Sequence, residues 1–143
     1  MFQIRQCHAV DFDEVIPLLR QLWTDKTIDP PSLRPIFDRG LVSNSKTYLV
    51  ATDKKRVIGF GSLSLKDDLW PEGRVAYIDE LIVDSGYRNK GIGAQLLEQL
   101  VATAQQKSCC RVELTSDFYR KDSHQFYEQR GFKSRAFVFS KVL

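Results

Sequence analysis

Residues 87–93 read YRNKGIG. Arg88 and Lys90 lie directly against Gly91 and Gly93, between an apolar run ending at Val83 and another beginning at Ala94. A strand-to-helix corner of this composition suits an anion. The first N–H groups of a helix have no intrahelical partner and carry partial positive charge. Glycine lets a phosphate approach them with no Cβ in the way. Arginine and lysine add full charges and side-chain donors. RNKGIGA therefore has the makings of a diphosphate cradle. A Walker A loop is excluded, because it needs Gly-Lys-Ser/Thr where this chain has Lys90-Gly91-Ile92. A dinucleotide fingerprint fits poorly, because its third glycine falls on Leu96.

The elements that must hold this corner follow from periodicity. FQIRQC alternates and reads as a strand. DFDEVIPLLRQLW reads as a helix with Asp11 as N-cap and Val15, Leu18, Leu19 and Leu22 at helical spacing. Pro17 suits that helix only near its first turn. SLRPIFDRGLV predicts a shorter helix stopped near Gly40. KTYLVATD and RVIGFGSLSLK form a hairpin through DKK, with Gly59 and Gly61 marking a bulge or a close approach. VAYIDELIVD is a long buried strand. GIGAQLLEQLVATAQQK is an amphipathic helix with Ile92, Leu96, Leu97, Leu100 and Val101 on one side. CCRVELTS is a strand, SHQFYEQR a short helix ended by Gly131, and GFKSR and AFVFSKVL are closing strands. The order β-α-α-β-β-β-α-β-α-β-β is a mixed α/β fold. Its strand-helix-strand unit over 75–115 predicts one parallel pair.

The 143 residues fit a single domain, 1–143, and 43% hydrophobic content is enough for one core. A net charge of +3, spread among acidic residues, argues against a nucleic-acid partner. No apolar run reaches membrane-span length, and MFQIRQCHAV is not a signal peptide. Cys7, Cys109 and Cys110 have no metal-ligand spacing, so no metal site is expected. Their odd number points to a reducing cytosol. Cys110 reads as a small apolar residue entering a strand rather than a nucleophile.

Two stretches in sequence carry a resemblance. YIDELIVDSGYRNKGIGAQLLEQL resembles the central acetyl-CoA-binding motif of the GNAT superfamily of N-acetyltransferases. HQFYEQRGF resembles that family's next motif, a short helix carrying a tyrosine before Gly-Phe. The order and spacing of all elements agree, so the resemblance covers essentially the whole chain. It implies a GNAT-like fold with a splayed central strand pair, and acetyl-CoA as co-substrate. The pantetheine arm would pair with the backbone of Leu81, Ile82 and Val83. The pyrophosphate would rest on the N–H groups of Arg88, Asn89, Lys90, Gly91, Ile92, Gly93 and Ala94. ELTSDFYRKDSHQFYEQRGF looks most like the aminoalkylphosphonate and aminoglycoside acetyltransferase branches.

The implied reaction is attack of an amine on a thioester. A lysine-like amine has a pKa of about 10.4, so freeing its lone pair at pH 7 costs roughly 4.6 kcal/mol, and the site needs a base. Tyr127 matches the family's acid for the departing thiolate. Many members carry a glutamate where this chain has Tyr77, which leaves Asp79 and Glu80 as the candidate bases, with a structural role, capping or pairing with an arginine, as the alternative for either. Strand alternation puts Tyr77 and Asp79 on one face and Glu80 on the other, which favours Asp79 unless a bulge intervenes. Arg120 stands where many members have asparagine, and is either an anion contact or solvated charge. His124 reads as a surface residue. Trp23, the TDKTIDPP loop and DDLWPEGR are expected to border the acceptor groove, with Asp25, Asp29, Asp67 and Asp68 favouring a cationic acceptor. The expected activity is direct acetyl transfer to a small primary amine. Its rivals are a protein or peptide N-acetyltransferase and a non-catalytic acyl-CoA-binding module. Dimers are common in the family, and the terminal strand offers an edge for a homodimer.

Overall fold

The computed structural model describes all of residues 1–143. The chain divides into two compact units, Met1–Glu113 and Leu114–Leu143. The first holds β1 (Phe2–Gln6), a 3-10 turn (Ala9–Asp11), α1 (Phe12–Leu22), α2 (Pro30–Val42), β2 (Lys46–Asp53), β3 (Arg56–Asp68), β4 (Gly73–Val83), a 3-10 turn (Ser85–Tyr87), α3 (Ile92–Gln106) and all but the last residue of β5 (Cys109–Leu114). The five strands form one sheet in chain order. β1 to β4 are antiparallel neighbours. Cys110 at the start of β5 lies against Gly73 at the start of β4, and its Sγ donates to the Arg74 carbonyl at 3.3 Å. The two starts are adjacent, so this pair is parallel and the sheet is mixed, as the strand-helix-strand unit predicts.

The sheet is covered on both faces. Val50, Phe60 and Ile82 point to one face and pack with Phe12, Val15, Leu18 and Leu19 of α1 and Phe37 of α2. Residues one step along the strands point the other way. There a Cβ at Gly59 would stand 3.1 Å from Leu96 Cδ1, and one at Gly61 would stand 3.1 Å from Leu100 Cδ1. The two glycines thus mark a close approach, made by α3, and let its buried Leu96 and Leu100 press on the strands. This contact fixes where the α3 N-terminus sits. The hairpin turns on Lys54 and Lys55, both with positive φ (49° and 70°), as a tight two-residue loop requires.

Several expectations need correction. Asp11 occupies the N-cap position of α1, as expected, but makes no side-chain cap there. Its carboxylate is buried in a bidentate pair with Arg5 (2.8 and 3.0 Å) and accepts the His8 N–H at 2.7 Å. Pro17 lies inside α1, beyond the first turn, on the exposed face, where water can take the carbonyl left without a donor. α2 begins earlier than its apolar pattern suggests, at Pro30, because proline is preorganised for a first helical position. It ends at Val42, near Gly40 as expected, although Gly40 itself is still helical.

In the second unit α4 (Lys121–Glu128) is the only helix. The closing strands GFKSR and AFVFSKVL are not formed, and residues 132–143 carry no regular structure. Alternation supplies a strand's side-chain pattern but not the ladder partner its backbone needs, and this unit holds no such partner. Phe137, Val138, Phe139, Val142 and Leu143 are exposed. No helix in the chain is long and apolar enough to cross a membrane.

Candidate active site

At the end of β4 the Asp84 N–H donates to the Ile58 carbonyl (2.8 Å) and the Tyr87 N–H to the Asp84 carbonyl (2.8 Å), which turns the chain. Asn89 (φ 62°) and Gly91 (φ 81°) are both left-handed. Gly91 is the N-cap of α3, and no side chain caps that helix. A Cβ at Gly91 would meet no atom within 4 Å. Glycine is therefore demanded by the backbone angle rather than by packing, and the space in front of the first N–H groups is open. Arg88, Asn89, Lys90 and Gly91 are exposed around it. Lys90 Nζ stands 5.3 Å from the centre of the Tyr87 ring.

Arg88 departs from expectation. Its Nε donates to the Val83 carbonyl at 3.0 Å and its Nη2 to Gln21 Oε1 at 3.3 Å. The guanidinium is folded back onto its own strand end and α1. It contributes positive charge to the corner, but its donors are partly taken. The Val83 carbonyl, one of the backbone groups expected to meet a pantetheine arm, is occupied too. Leu81 and Val83 are half-buried on the α3 face, whereas Ile82 is buried in the core under α1.

The carboxylates are arranged by a bulge. Glu80 is opposite Ser62, and Ile78 is opposite Leu63, so Asp79 is the extra residue of β4. The bulge breaks the alternation on which Asp79 was preferred. Asp79 is exposed and Glu80 half-buried. Ser62, fully buried, donates its hydroxyl to Glu80 Oε1, and the Glu80 N–H donates to Ser62 Oγ at 3.0 Å. Cross-strand pairing sets Tyr48, Ser62 and Glu80 in one row and Lys46, Ser64 and Tyr77 in the next. Burial raises the Glu80 pKa above the ordinary carboxylate range. The Ser62 bond opposes that rise, the Asp79 charge adds to it and Lys46 opposes it again. The Tyr48 hydroxyl is also raised, mainly by burial and then by the charges of Glu80 and Asp79.

Tyr127 lies on α4 in the second unit. Its ring meets Phe126 (5.3 Å) and Phe132 (5.7 Å) edge-on, and its carbonyl accepts the Arg130 and Phe132 N–H groups that close the helix. Burial raises its pKa, with Arg120 opposing. Arg120 precedes α4, pairs with Asp117 at 3.5 Å and stands 5.5 Å from the Tyr119 ring centre. His124 Nε2 is 2.8 Å from the Asp117 carbonyl, a local tie within the unit. The loop before α2 carries a shallow hollow lined by Trp23, Lys26, Ile28, Asp29 and Leu33. Cys7 is buried with its thiol pushed up to about 12, mainly by desolvation.

Sequence reading missed Ser62, Tyr48 and Gln21. A serine inside the apolar run VIGFGSLSL hints at a buried hydrogen bond, because a buried hydroxyl needs a partner. Nothing local marks Gln21, whose partners lie 63 to 67 residues away.

Comparison with known proteins gives concordant results. The model of the acetyltransferase (GNAT) family matches residues 12–132. The chain is 30% identical over 141 residues to the aminoalkylphosphonate N-acetyltransferase of Salmonella typhimurium, covering 99% of this chain and 91% of that protein. A solved transcriptional regulator from Bacillus halodurans C-125 has a TM-score of 0.92 at 23% identity over 100% of both chains. The aminoglycoside N-acetyltransferase AAC(6')-Iy, solved with CoA, has a TM-score of 0.86 at 18% identity, covering 99% of this chain and 95% of that one. These two structures show a shared fold.

Proposed function

The chain belongs to the acetyltransferase (GNAT) family and is an N-acetyltransferase, and we propose that it passes an acetyl group from acetyl-CoA directly to the primary amine of a small molecule. One observation carries the coenzyme part of this reading. The α3 N-terminus is uncapped and open, behind a left-handed Gly91 with nothing within 4 Å of a Cβ position. A pyrophosphate fits such an opening by charge and by hydrogen bonding. The N–H groups of residues 88–94 and the Lys90 ammonium would hold it, with the pantetheine arm along Leu81, Ile82 and Val83. The coenzyme supplies an activated thioester.

Glu80 is the proposed base. Its raised pKa brings it nearer neutral pH than an ordinary carboxylate, which suits proton transfer from an ammonium. Ser62 holds its orientation. Asp79, exposed at the bulge, acts on Glu80 through its charge. Glu80 takes one proton from the substrate ammonium, freeing the lone pair that forms the N–C bond, and the nitrogen's second proton leaves to solvent. The C–S bond then breaks, and Tyr127 gives its proton to the sulfur. The Tyr127 assignment rests on its motif and on a phenol that burial keeps protonated at neutral pH. No acyl-enzyme is required, and the buried, protonated Cys7 is no nucleophile. Residues 1–143 act as one transferase domain in this reading. The cytoplasm is the proposed location, on the free state of all three cysteines.

The small-amine acceptor is supported by the Salmonella relative, whose name specifies an aminoalkylphosphonate. The test is a screen of aminoalkylphosphonates, amino sugars, polyamines and lysine peptides with acetyl-CoA, read by thiol release. Calorimetry of acetyl-CoA with the wild type and Gly91→Asp accompanies it. We expect small amines to outrun peptides and Gly91→Asp to lose binding while remaining folded. Peptide preference would overturn the acceptor class. Unchanged affinity in Gly91→Asp would overturn the cradle.

A further inference from the structure

We propose that Gln21, at the C-terminal end of α1, is a positioning residue for the coenzyme: its amide braces the 84–88 turn and so holds open the α3 N-terminus. The inference rests on the coenzyme site proposed above. Gln21 Oε1 accepts the Ser85 N–H at 3.0 Å and Arg88 Nη2 at 3.3 Å. Gln21 Nε2 donates to Asp84 Oδ1 at 3.2 Å, and Asp84 Oδ2 accepts Arg56 Nη2 at 3.2 Å. One amide thus ties α1 to three residues of the turn, and Asp84 extends the tie to the start of β3.

The chemistry of this brace is specific. Ser85 and Arg88 offer donors, so they need an acceptor. Asp84 offers an acceptor, so it needs a donor. An amide presents both from one planar group. α1 is a rigid platform for it, because Val15, Ile16, Leu18 and Leu19 are buried in the core. The chain beyond Arg88 has little else to hold it. Asn89 and Gly91 are left-handed, residues 88–91 are exposed and no side chain caps α3. Without Gln21, Arg88 retains only its bond to the Val83 carbonyl, and the turn loses its register with α1.

Two variants test the role by calorimetry with acetyl-CoA. Gln21→Leu keeps a comparable apolar bulk and removes all three bonds. It is expected to weaken binding roughly tenfold, about 1.4 kcal/mol, with a Tm close to wild type. Gln21→Glu keeps the acceptor for Ser85 and Arg88 but faces the Asp84 carboxylate without a donor at pH 8. At pH 5 the introduced carboxyl, once protonated beside Asp84, regains the donor, so the variant's affinity relative to wild type should recover. The charged groups around the substituted side chain are Asp84 and Arg88, with Arg56 behind Asp84. A wild-type affinity for Gln21→Leu overturns the inference and leaves the coenzyme site standing. So does a Gln21→Glu deficit that is flat between pH 5 and 8, because loss of folded structure alone would not follow that proton. If the wild type itself does not bind acetyl-CoA, it is the functional reading that fails.

Discussion

Gly40→Ala sets helix propensity directly against packing. Gly40 lies inside α2 with an ordinary negative φ, so the backbone alone gives no reason for glycine. Propensity predicts that alanine stabilises the helix by about 1 kcal/mol. The surroundings predict the opposite. An ideal Cβ would stand 2.0 Å from Tyr48 Oη, 2.4 Å from Cζ and 2.8 Å from Cε2. Carbon atoms rest at about 3.5–4.0 Å, so relief needs a shift of more than about 1 Å. The ring is not free to make it, because Phe37 and Phe60 flank it at 5.4 and 5.6 Å and are themselves buried. Overpacking of this kind costs about 1–3 kcal/mol. With an overlap this large the upper half applies, and after the propensity gain about 1–2 kcal/mol of destabilisation remains. For a chain of this size that lowers Tm by roughly 5 °C. Differential scanning calorimetry measures it, with Tyr48→Leu as the second arm of a double-mutant cycle. In the Tyr48→Leu background the same substitution should turn neutral or stabilising. A higher Tm for Gly40→Ala in the wild-type background would refute the clash. Tyr48 shares a row with Ser62 and Glu80, so Gly40→Ala should also lower kcat/KM.

The remaining expectations concern single groups. Glu80→Gln retains an acceptor for Ser62 and removes the base, so kcat/KM should fall about 10²–10⁴-fold with acetyl-CoA affinity unchanged. The Glu80 pKa is raised on folding, so its ionised form weighs against the folded state as pH rises through that value. Glu80→Gln should therefore gain stability relative to wild type more at pH 8 than at pH 4, seen as a Tm difference. Tyr127→Phe should lower kcat about 10²-fold or more with normal coenzyme binding, read by single-turnover kinetics. The pKa of Asp11 is depressed, chiefly by the Arg5 hydrogen bond. That stability is present above the ordinary carboxylate pKa and is lost as pH falls through the depressed one. Arg5→Met leaves a buried carboxylate unpaired and should cost about 3 kcal/mol at pH 7 in urea unfolding, the low end for a pair that is partly exposed. The gap to wild type should close in acid.

The amino-acid order alone determined those features whose cause is local. The Arg88–Gly93 corner, the apolar face of α3 and the strand-helix-strand unit depend on neighbours within a turn or two. Glycine angles, helix ends and side-chain period therefore reveal them. Tertiary structure decided what depends on partners distant in the chain. The β4 bulge arises from pairing against Ser62 of β3, and it removes the strict alternation that would set Asp79 and Glu80 on opposite faces. Arg88 looks like a free cation until folding brings Gln21 to it from 67 positions away. Gly40 looks like a helix stop until Tyr48 is laid across it. The closing segment alternates like a strand yet forms none, because a ladder needs a second backbone that no pattern within one segment can supply.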